Sequence, residues 1–265
     1  MSPASTEQFL LEQYAGHPAS QLQDLRKALY QSVFGCEHLI TDTSAAAEGI
    51  RRETAEAGPC SREIEALDGP WSRVQLGVLA DGLTPETLAC IFARSAAMSH
   101  GDADALQEKL TVLRRLIHSG ALPYSPAEAD AELDDWRKNG FPACHHSDEY
   151  RAAYRPAYRV LHRTYVRLLP LLAAIDRTLK EKSRVLLAIE GGAASGKSTL
   201  AELLTAIYPD TALFHADDFF LRPEQRTAAR YAQPGGNLDR ERLESEILAP
   251  ISRNEVAIYR PFDCH

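Results

Sequence analysis

Residues 189–199 read Ile-Glu-Gly-Gly-Ala-Ala-Ser-Gly-Lys-Ser-Thr, and this stretch decides the fold that the sequence predicts. It fits the pattern G-x-x-x-x-G-K-[ST], with Gly191, Gly196, Lys197 and Ser198 at the fixed positions. An apolar run of strand type precedes it, and apolar residues at helical spacing follow it. The order of strand, glycine loop and helix predicts a P-loop, in which backbone N–H groups and a helix N-terminus bind phosphate.

Each position of this loop has a predicted role. The glycines allow a tight turn, Lys197 can reach the β- and γ-phosphates of a nucleotide, and the Ser198 hydroxyl can bind Mg²⁺. The predicted ligands are therefore ATP and Mg²⁺. A chance match in a turn rich in glycine, alanine and serine is the disfavoured alternative, because the flanking strand and helix patterns are both present. The predicted nucleotide-binding residues are Gly191, Gly192, Ala193, Ala194, Ser195, Gly196, Lys197, Ser198 and Thr199.

The composition argues against a nucleic-acid-binding, membrane or secreted protein. Lys and Arg number 29 against 37 Asp and Glu, and the net charge of −8 gives no bulk attraction to nucleic acid or to an anionic membrane. No apolar run approaches the length of a membrane span, and the N-terminus lacks the pattern of a secretory signal. Five widely spaced cysteines without a C-x-x-C pair fit free thiols in a reducing cytosol. A cytoplasmic protein is predicted, and the sequence leaves open whether it forms a homo-oligomer.

Residues 1–147 are predicted to form a mostly helical domain of unknown role. Apolar residues recur at helical spacing, for example at Leu106, Leu110, Leu113 and Ile117. Residues 73–78 fit either a short strand or an extended connector. Capping residues, two of them followed by proline, indicate helix starts at Asp42, Thr84 and Ser125.

Residues 148–182 are predicted to form a linker helix region that breaks or kinks at Pro156 and Pro170. Four tyrosines near one helical face favour packing over stacking on nucleic-acid bases. The preceding Cys144, His145 and His146 are residue types that bind metals. Adjacent residues point in different directions, however, and no second pair has a ligand spacing, so a polar turn is favoured over a metal site.

An acidic pair follows the P-loop helix. Residues 211–215 resemble a second strand, which ends in Ala216-Asp217-Asp218-Phe219-Phe220. In an open parallel sheet, the carboxyl ends of strands face the ligand crevice. One carboxylate could take the proton of an acceptor hydroxyl, and the other could hold Mg²⁺ or its water shell. The alternative is a solvated cap at a strand end.

The loop at 191–199, combined with the segment Asp217-Asp218-Phe219-Phe220, resembles the uridine kinase family, within the wider group that includes phosphoribulokinase and bacterial pantothenate kinase. The chain also has Asn237-Leu238-Asp239 and a stretch from Tyr259 to Asp263 where the family has comparable elements. The resemblance covers roughly residues 184–265. It implies that Asp217 is the catalytic base alongside Lys197, which leaves Asp218 with Ser198 as metal ligands. It also implies that Asp239 binds sugar hydroxyls of the acceptor, and that Phe219, Phe220 and Phe262 lie near the acceptor.

The chain departs from the family at three points. Phe220 stands where uridine kinases usually have a tyrosine that helps to read the base, which puts uridine as the acceptor in doubt. Residues 1–147 have no counterpart in ordinary uridine kinases. The family's next acidic strand and its arginine-bearing lid would follow His265. We therefore expect a C-terminally truncated form, or one part, of a longer kinase, with weak nucleotide binding and little or no turnover.

The sequence thus predicts an α/β P-loop fold, a doubly wound parallel sheet that is incomplete at the C-terminus, preceded by a mostly α-helical domain. The predicted domains are residues 1–147, 148–182 and 183–265, the last being the N-terminal part of a P-loop kinase domain. The predicted activity is ATP-dependent phosphoryl transfer to a small hydroxylated acceptor, either nucleoside-like or another sugar-containing metabolite.

Two other functions stay open. One is a nucleotide-binding switch or regulatory P-loop protein without a small-molecule acceptor, and the other is a binding module whose P-loop is inactive. The Asp-Asp-Phe-Phe segment favours a kinase, because a switch needs no acceptor base at that place.

Overall fold

A computed structural model describes residues 3–36, 40 and 42–262. The chain divides into two compact units, Met1–Ala188 and Ile189–His265, here called unit 1 and unit 2. The division falls after Ala188, whereas the sequence placed a boundary between residues 182 and 183. Residues 182–196 contain no helix or strand, which makes this segment the connection between the two units.

Unit 1 is mainly helical. A short 3₁₀ segment, Leu76–Asp81, lies between its second strand and its fourth helix. The helices are α1 Pro3–Gly16, α2 Leu22–Phe34, α3 Thr43–Ala57, α4 Pro85–Ala97, α5 Ala103–His118, α6 Pro126–Lys138, α7 Asp148–Tyr154, α8 Arg163–Val166 and α9 Leu169–Glu181.

Three of these helices begin where the capping residues predicted. The Asp42 carboxylate accepts hydrogen bonds from two backbone N–H groups in the first turn of α3, at 2.9 and 3.0 Å. The Thr84 hydroxyl accepts one from a backbone N–H of α4, at 3.2 Å. Helix α6 begins at Pro126, directly after Ser125, whose side chain makes no capping hydrogen bond within the described residues. The three predicted starts are confirmed, because capping side chains and a proline at the first helical position act within one helical turn.

Unit 1 also contains a three-stranded antiparallel sheet in the order β1 (Ile64–Ala66), β2 (Trp71–Gln75), β3 (Tyr158–His162). Strand β2 is central, and it pairs with β3 from Trp71 opposite His162 to Gln75 opposite Tyr158. The ambiguous residues 73–78 are therefore strand up to Gln75 and 3₁₀ helix after it.

The region predicted as a linker helix is not one helix. Within residues 148–182, helix α7 is followed by strand β3 and then by α8 and α9. Arg155, which precedes Pro156, ends α7 in a left-handed conformation with φ 44°. A residue before proline is disfavoured in a helix, and the chain then gains ladder bonds with β2. Pro170 does not kink a helix, since it stands in the first turn of α9.

The core of unit 1 is formed by α1, α2, α5, α6 and the sheet. The predicted apolar stripe of α5 is confirmed, because Leu106, Leu110, Leu113 and Ile117 are each at most 1% exposed. The indole of Trp71 packs on Gly35, where a Cβ atom would lie 2.6 Å from the ring. This contact joins the end of α2 to the sheet.

Unit 2 contains one longer helix, α10 Lys197–Ile207, and several short ones. Two 3₁₀ segments follow, Ala216–Phe219 and Pro223–Gln225. Next come α11 Ala228–Tyr231 and α12 Arg240–Arg242; α12 continues through a π-helical segment, Leu243–Leu248, into α13 Ala249–Ser252.

The predicted doubly wound parallel sheet is wrong. In the described part of unit 2, the one pairing of strand type is an isolated antiparallel bridge between Phe220 and Leu238. The segments expected as strands, residues 184–190, 211–215 and 256–262, join no ladder, and Leu186 and Val256 are 67% and 82% exposed. An apolar run favours a strand locally, but a parallel sheet exists only where neighbouring strands cover one another in register.

Two further sequence predictions concern membrane-spanning segments and the state of the cysteines. Within the described residues, no helix combines the length and the apolar character needed to cross a lipid bilayer. Among the described residues, Cys36, Cys60, Cys90 and Cys144 form no disulfide. Asp263 and Cys264 lie outside the described residues.

Candidate phosphate-binding site

The predicted P-loop, residues 191–198, turns the chain into the N-terminus of α10. Gly196 is in the left-handed region with φ 87°, and Ala194 shares that region with φ 57°. The N–H of Leu200 donates to the carbonyl of Gly196 at 2.9 Å, which starts the helix. Left-handed residues at the end of a loop leave successive backbone N–H groups on one side, the arrangement that binds anions.

Lys197 folds back over this loop. Its ammonium donates to the carbonyl oxygens of Gly191 at 2.9 Å and Gly192 at 2.8 Å. The N–H of Ser195 also donates to the Gly192 carbonyl, at 3.4 Å. A Cβ atom on Gly191 would lie 2.7 Å from the Ser195 hydroxyl, so the loop is closed tightly on itself. The positive charge of Lys197 is therefore held at the loop and next to the N-terminus of α10.

Ser198 and Thr199 lie in the first turn of α10, and both are exposed. Within the described residues, neither hydroxyl makes a hydrogen bond, so the Ser198 oxygen is available to a ligand. Hydroxyl oxygen is a ligand type that Mg²⁺ accepts.

The acidic pair lies in the 3₁₀ segment Ala216–Phe219. Asp217 is exposed and makes no side-chain hydrogen bond in the described part of the chain. Asp218 is half-buried; its carboxylate accepts from the Tyr259 hydroxyl at 3.2 Å, and its carbonyl accepts from the N–H of Phe262 at 3.0 Å. Burial, together with this contact to Asp218, raises the pKa of the Tyr259 hydroxyl. Of the two carboxylates, that of Asp218 is held by a hydrogen bond, whereas that of Asp217 accepts none from the described residues.

The turn at residues 234–236 leads into a segment that hydrogen-bonds to residues 219–221, directly after the acidic pair. A Cβ atom on Gly236 would lie 2.0 Å from the carbonyl oxygen of Arg230, so only glycine fits there. Arg230 donates to both carboxylate oxygens of Glu241, at 2.8 and 2.6 Å, and to the Leu238 carbonyl at 3.0 Å. These hydrogen bonds lower the pKa of Glu241 to about 2. The tight turn and the contacts of Arg230 therefore fix the positions of Leu238 and Asp239.

Asp239 is fully buried and is the N-cap of α12. Its backbone N–H donates to the Phe219 carbonyl at 2.6 Å, and its Oδ1 accepts from the N–H of Arg242 at 3.2 Å. Its Oδ2 has no hydrogen-bond partner in the described part of the chain, and the nearest cation, Arg222 Nε, is 3.9 Å away. An enclosed carboxylate oxygen without a donor is energetically costly, and it can accept a hydrogen bond.

The aromatic residues expected near the acceptor come together. The rings of Phe220 and Phe262 meet edge to face with centroids 5.8 Å apart. Phe219 is buried and stacks on Tyr259 at 5.3 Å, with the guanidinium of Arg242 on its ring at 5.3 Å.

The structure thus joins Asp218, Phe220, Asp239 and Phe262 in one part of unit 2. Within the described residues, no hydrogen bond or ion pair links residues 191–199 to Asp217, Asp218 or Asp239. No group of three His, Cys, Asp or Glu side chains there is arranged to hold a metal ion. The predicted metal ligands Ser198 and Asp218 are therefore not part of a preformed cluster.

Two arginines that contact the predicted site residues were not predicted from the sequence. Arg222 lies beside Asp239, and Arg242 covers the ring of Phe219. Both are among many exposed or half-exposed arginines in this part of the sequence, and no local pattern distinguishes them.

Within the Cys144–His146 segment of unit 1, His145 is exposed, whereas His146 is buried and belongs to a polar network. His146 Nδ1 lies 2.8 Å from the Asp24 carboxylate, its Nε2 lies 2.6 Å from the Tyr158 hydroxyl, and its ring stacks on Tyr150 at 4.1 Å. The packing predicted for the tyrosines is confirmed for Tyr150 and Tyr165, which are 5% and 4% exposed.

Comparison with known proteins finds no matching family model, no matching curated protein and no matching solved structure. The resemblance to the uridine kinase family therefore rests on the motif residues of unit 2 alone, and it remains a prediction.

Proposed function

We propose that this protein is a P-loop kinase, which transfers a phosphoryl group from ATP to a hydroxyl of a small acceptor. The observation that carries the proposal is the geometry of residues 191–198. Left-handed Gly196 leads directly into α10, a helix of 11 residues, and the Lys197 ammonium lies on the loop carbonyls. A helix N-terminus, turned backbone N–H groups and a lysine charge at one place favour the binding of polyphosphate.

In this proposal, Lys197 leaves the carbonyls of Gly191 and Gly192 and pairs with the phosphates of ATP. The exposed Ser198 hydroxyl would hold Mg²⁺, with the Asp218 carboxylate contributing directly or through water. Bound Mg²⁺ supplies charge neutralisation at the phosphate oxygens.

Asp217 is the proposed catalytic base, because its carboxylate is exposed and has no hydrogen bond to other described residues. It would take the proton of the attacking acceptor hydroxyl. The partnerless Oδ2 of Asp239 would accept a hydrogen bond from a second hydroxyl of the acceptor. Asp239 is fully buried, so an acceptor reaches it only after neighbouring side chains move. Two carboxylates that each act on a hydroxyl, one as a base and one as a hydrogen-bond acceptor, favour a polyhydroxylated molecule, such as a nucleoside or another sugar-containing metabolite.

Turnover by this chain is expected to be low, and the proposal predicts that one compound from a panel of nucleosides, sugars and vitamins raises its ATP consumption above the rate measured without that compound. Replacing Lys197 with Ala should weaken ATP binding by about tenfold or more, since a charged hydrogen bond is lost. Asp217→Asn should leave ATP binding unchanged and abolish phosphorylation of the acceptor. Calorimetric titration with ATP and Mg²⁺, followed by an assay of ADP formation and of the phosphorylated product, measures both effects.

The matched controls are Lys138→Ala and Asp210→Asn, since both side chains are exposed and lie outside the loop and the acidic pair. Absence of saturable ATP binding would contradict the assignment of residues 191–198 as a phosphate-binding site. Full phosphorylation by Asp217→Asn would remove the assigned base. ATP consumption that responds only to a protein partner would favour the switch over the kinase.

A further inference from the structure

Unit 1 contains a cleft of about 320 Å³ that the phosphoryl-transfer proposal does not use. It lies between α1, the end of α2, the turn between β1 and β2, and the first half of α5. Its floor includes Thr6, Ser32, Asp68 and Lys109, and its rim includes Asp102 and Glu108. The volume falls within the range of pockets that hold small molecules. We call it the Asp68 cleft.

The donors of the floor side chains are all occupied. The Lys109 ammonium donates to Asp68 Oδ2 at 2.9 Å, to the Ser32 hydroxyl at 2.9 Å and to the Asp68 carbonyl. An ammonium has three protons, so none remains. The Thr6 hydroxyl donates to Asp68 Oδ2 at 2.5 Å, and the Ser32 hydroxyl donates to the Leu29 carbonyl at 2.7 Å.

Acceptor capacity remains on the same groups. Each hydroxyl oxygen has two lone pairs, and a carboxylate offers about four acceptor positions. Asp68 uses three of these positions, two on Oδ2 for Thr6 and Lys109 and one on Oδ1 for the Ser5 hydroxyl at 3.3 Å. Asp68 is 6% exposed; burial raises the pKa of its carboxyl, but hydrogen bonds from Thr6 and Lys109 outweigh burial and hold it below the usual range. Asp68 is therefore ionised at neutral pH. The floor presents lone pairs without free side-chain protons, and it suits a ligand that donates.

The rim of the cleft is negatively charged, like the Asp68 carboxylate on its floor. Asp102 and Glu108 are exposed, and neither forms an ion pair within the described residues. With Asp68, three carboxylates stand against the one ammonium of Lys109, and His100 is the remaining titratable group of the cleft. A ligand that carries positive charge is favoured over a neutral or anionic one.

We propose that the Asp68 cleft binds a small organic cation that carries a primary ammonium group. Such a group has three donors and no acceptor, which complements the floor, and its charge complements the rim. A metal ion fits less well, since the described residues contain no group of three metal-ligand side chains. This site is independent of the proposed kinase activity, and its test needs no ATP.

The test is a calorimetric titration of the full chain with 1,4-diaminobutane at low ionic strength. The matched neutral probe is 1,4-butanediol, and the matched anionic probe is glutarate. Saturable binding of the diamine is expected, with the diol at least about tenfold weaker. Asp102→Asn and Glu108→Gln should each weaken diamine binding about threefold, the size of an exposed charge pair. Asn still caps a helix, so the first of these variants preserves the start of α5.

The control variant is Asp104→Asn, which removes the same charge from the first turn of α5 but does not line the cleft. It should bind the diamine as the unmodified chain does. Equal binding of diamine and diol, tighter binding of glutarate, no saturable binding of any probe, or an equal loss in Asp104→Asn would each overturn the proposal. Far-UV circular dichroism establishes that every variant is folded.

Discussion

His146 is a buried histidine whose two ring nitrogens both have partners. The Asp24 carboxylate can only accept, so Nδ1 carries the proton, and Nε2 accepts from the Tyr158 hydroxyl. Burial is the main cause that lowers the pKa of His146, and the nearby charges of Arg73 and Lys27 lower it further; the Asp24 hydrogen bond opposes them. The neutral imidazole is therefore the form that the fold accommodates.

This arrangement predicts that the free energy of unfolding decreases as the pH falls below about 6.5. The folded-state pKa of His146 lies below its unfolded value, so the unfolded chain binds more protons in that window. His162 contributes in the same direction, since burial also lowers its pKa. His146→Gln should reduce the slope of stability against pH by up to about 1.4 kcal/mol per pH unit, the value for one proton. Urea unfolding between pH 5 and pH 7.5 measures the slope.

The matched control is His145→Gln, because His145 is the exposed neighbour of His146. It should leave the slope unchanged. If both variants changed the slope equally, the buried network around Asp24 would not be its source. At lower pH, Asp24 adds a second loss of stability: burial raises the pKa of its carboxyl, but the hydrogen bonds from His146 and Ser147 outweigh burial and hold the pKa below its usual range.

Helix α5 is the element that most clearly organises the core of unit 1. Leu113 is fully buried on its inner face, whereas Thr111 is exposed on its outer face. Leu113→Ala should lower the free energy of unfolding by about 2–5 kcal/mol, because it removes buried methyl groups and leaves a cavity. Thr111→Ala, on the same helix, should change it by less than about 0.5 kcal/mol.

Guanidinium unfolding followed by circular dichroism measures both values, with the slope of free energy against denaturant compared to detect changes in the unfolded state. Equal effects of the two substitutions would contradict the assignment of the buried face of α5.

The division of the whole chain into two units predicts that residues 1–188 fold alone. The central core cluster consists of residues between Phe9 and Val160, so a fragment ending at Ala188 retains all of it. We expect one cooperative thermal transition and a far-UV spectrum rich in helix. A gradual transition with strong binding of a hydrophobic dye would instead indicate a loosely packed state and contradict the prediction.

The starts of α3, α4 and α6 and the helical course of α10 could be predicted from the sequence because their interactions are local. A cap such as Thr84 acts on a residue three positions away, and Gly196 and Lys197 act on the first turn of the helix that they begin. The stripe of α5 repeats with the period of a helix, and each member is buried. Such features require only neighbouring residues.

The sheet and the candidate acceptor site could not be predicted in the same way. Strand β3 was interpreted as part of a helix, because the four tyrosines of residues 148–182 fall at helical spacing, yet β3 pairs with β2. The apolar runs 184–190 and 211–215 suggested parallel strands, but no neighbouring strand pairs with them in the described residues. The preference of a single segment for helix or strand is weak, and whether a neighbouring strand is present to pair with it decides the outcome.

The sequence by itself therefore determined the helix starts after Asp42, Thr84 and Ser125, the apolar face of α5 and the glycine-rich turn that leads into α10. Only the tertiary structure decided the antiparallel pairing of β2 with β3, the contact of Asp24 with His146 and the burial of Asp239. The physical reason is the range of the interactions. Caps and helical stripes act within a few residues, whereas ladders and buried polar networks join groups far apart in the chain and exist only once packing has brought them together.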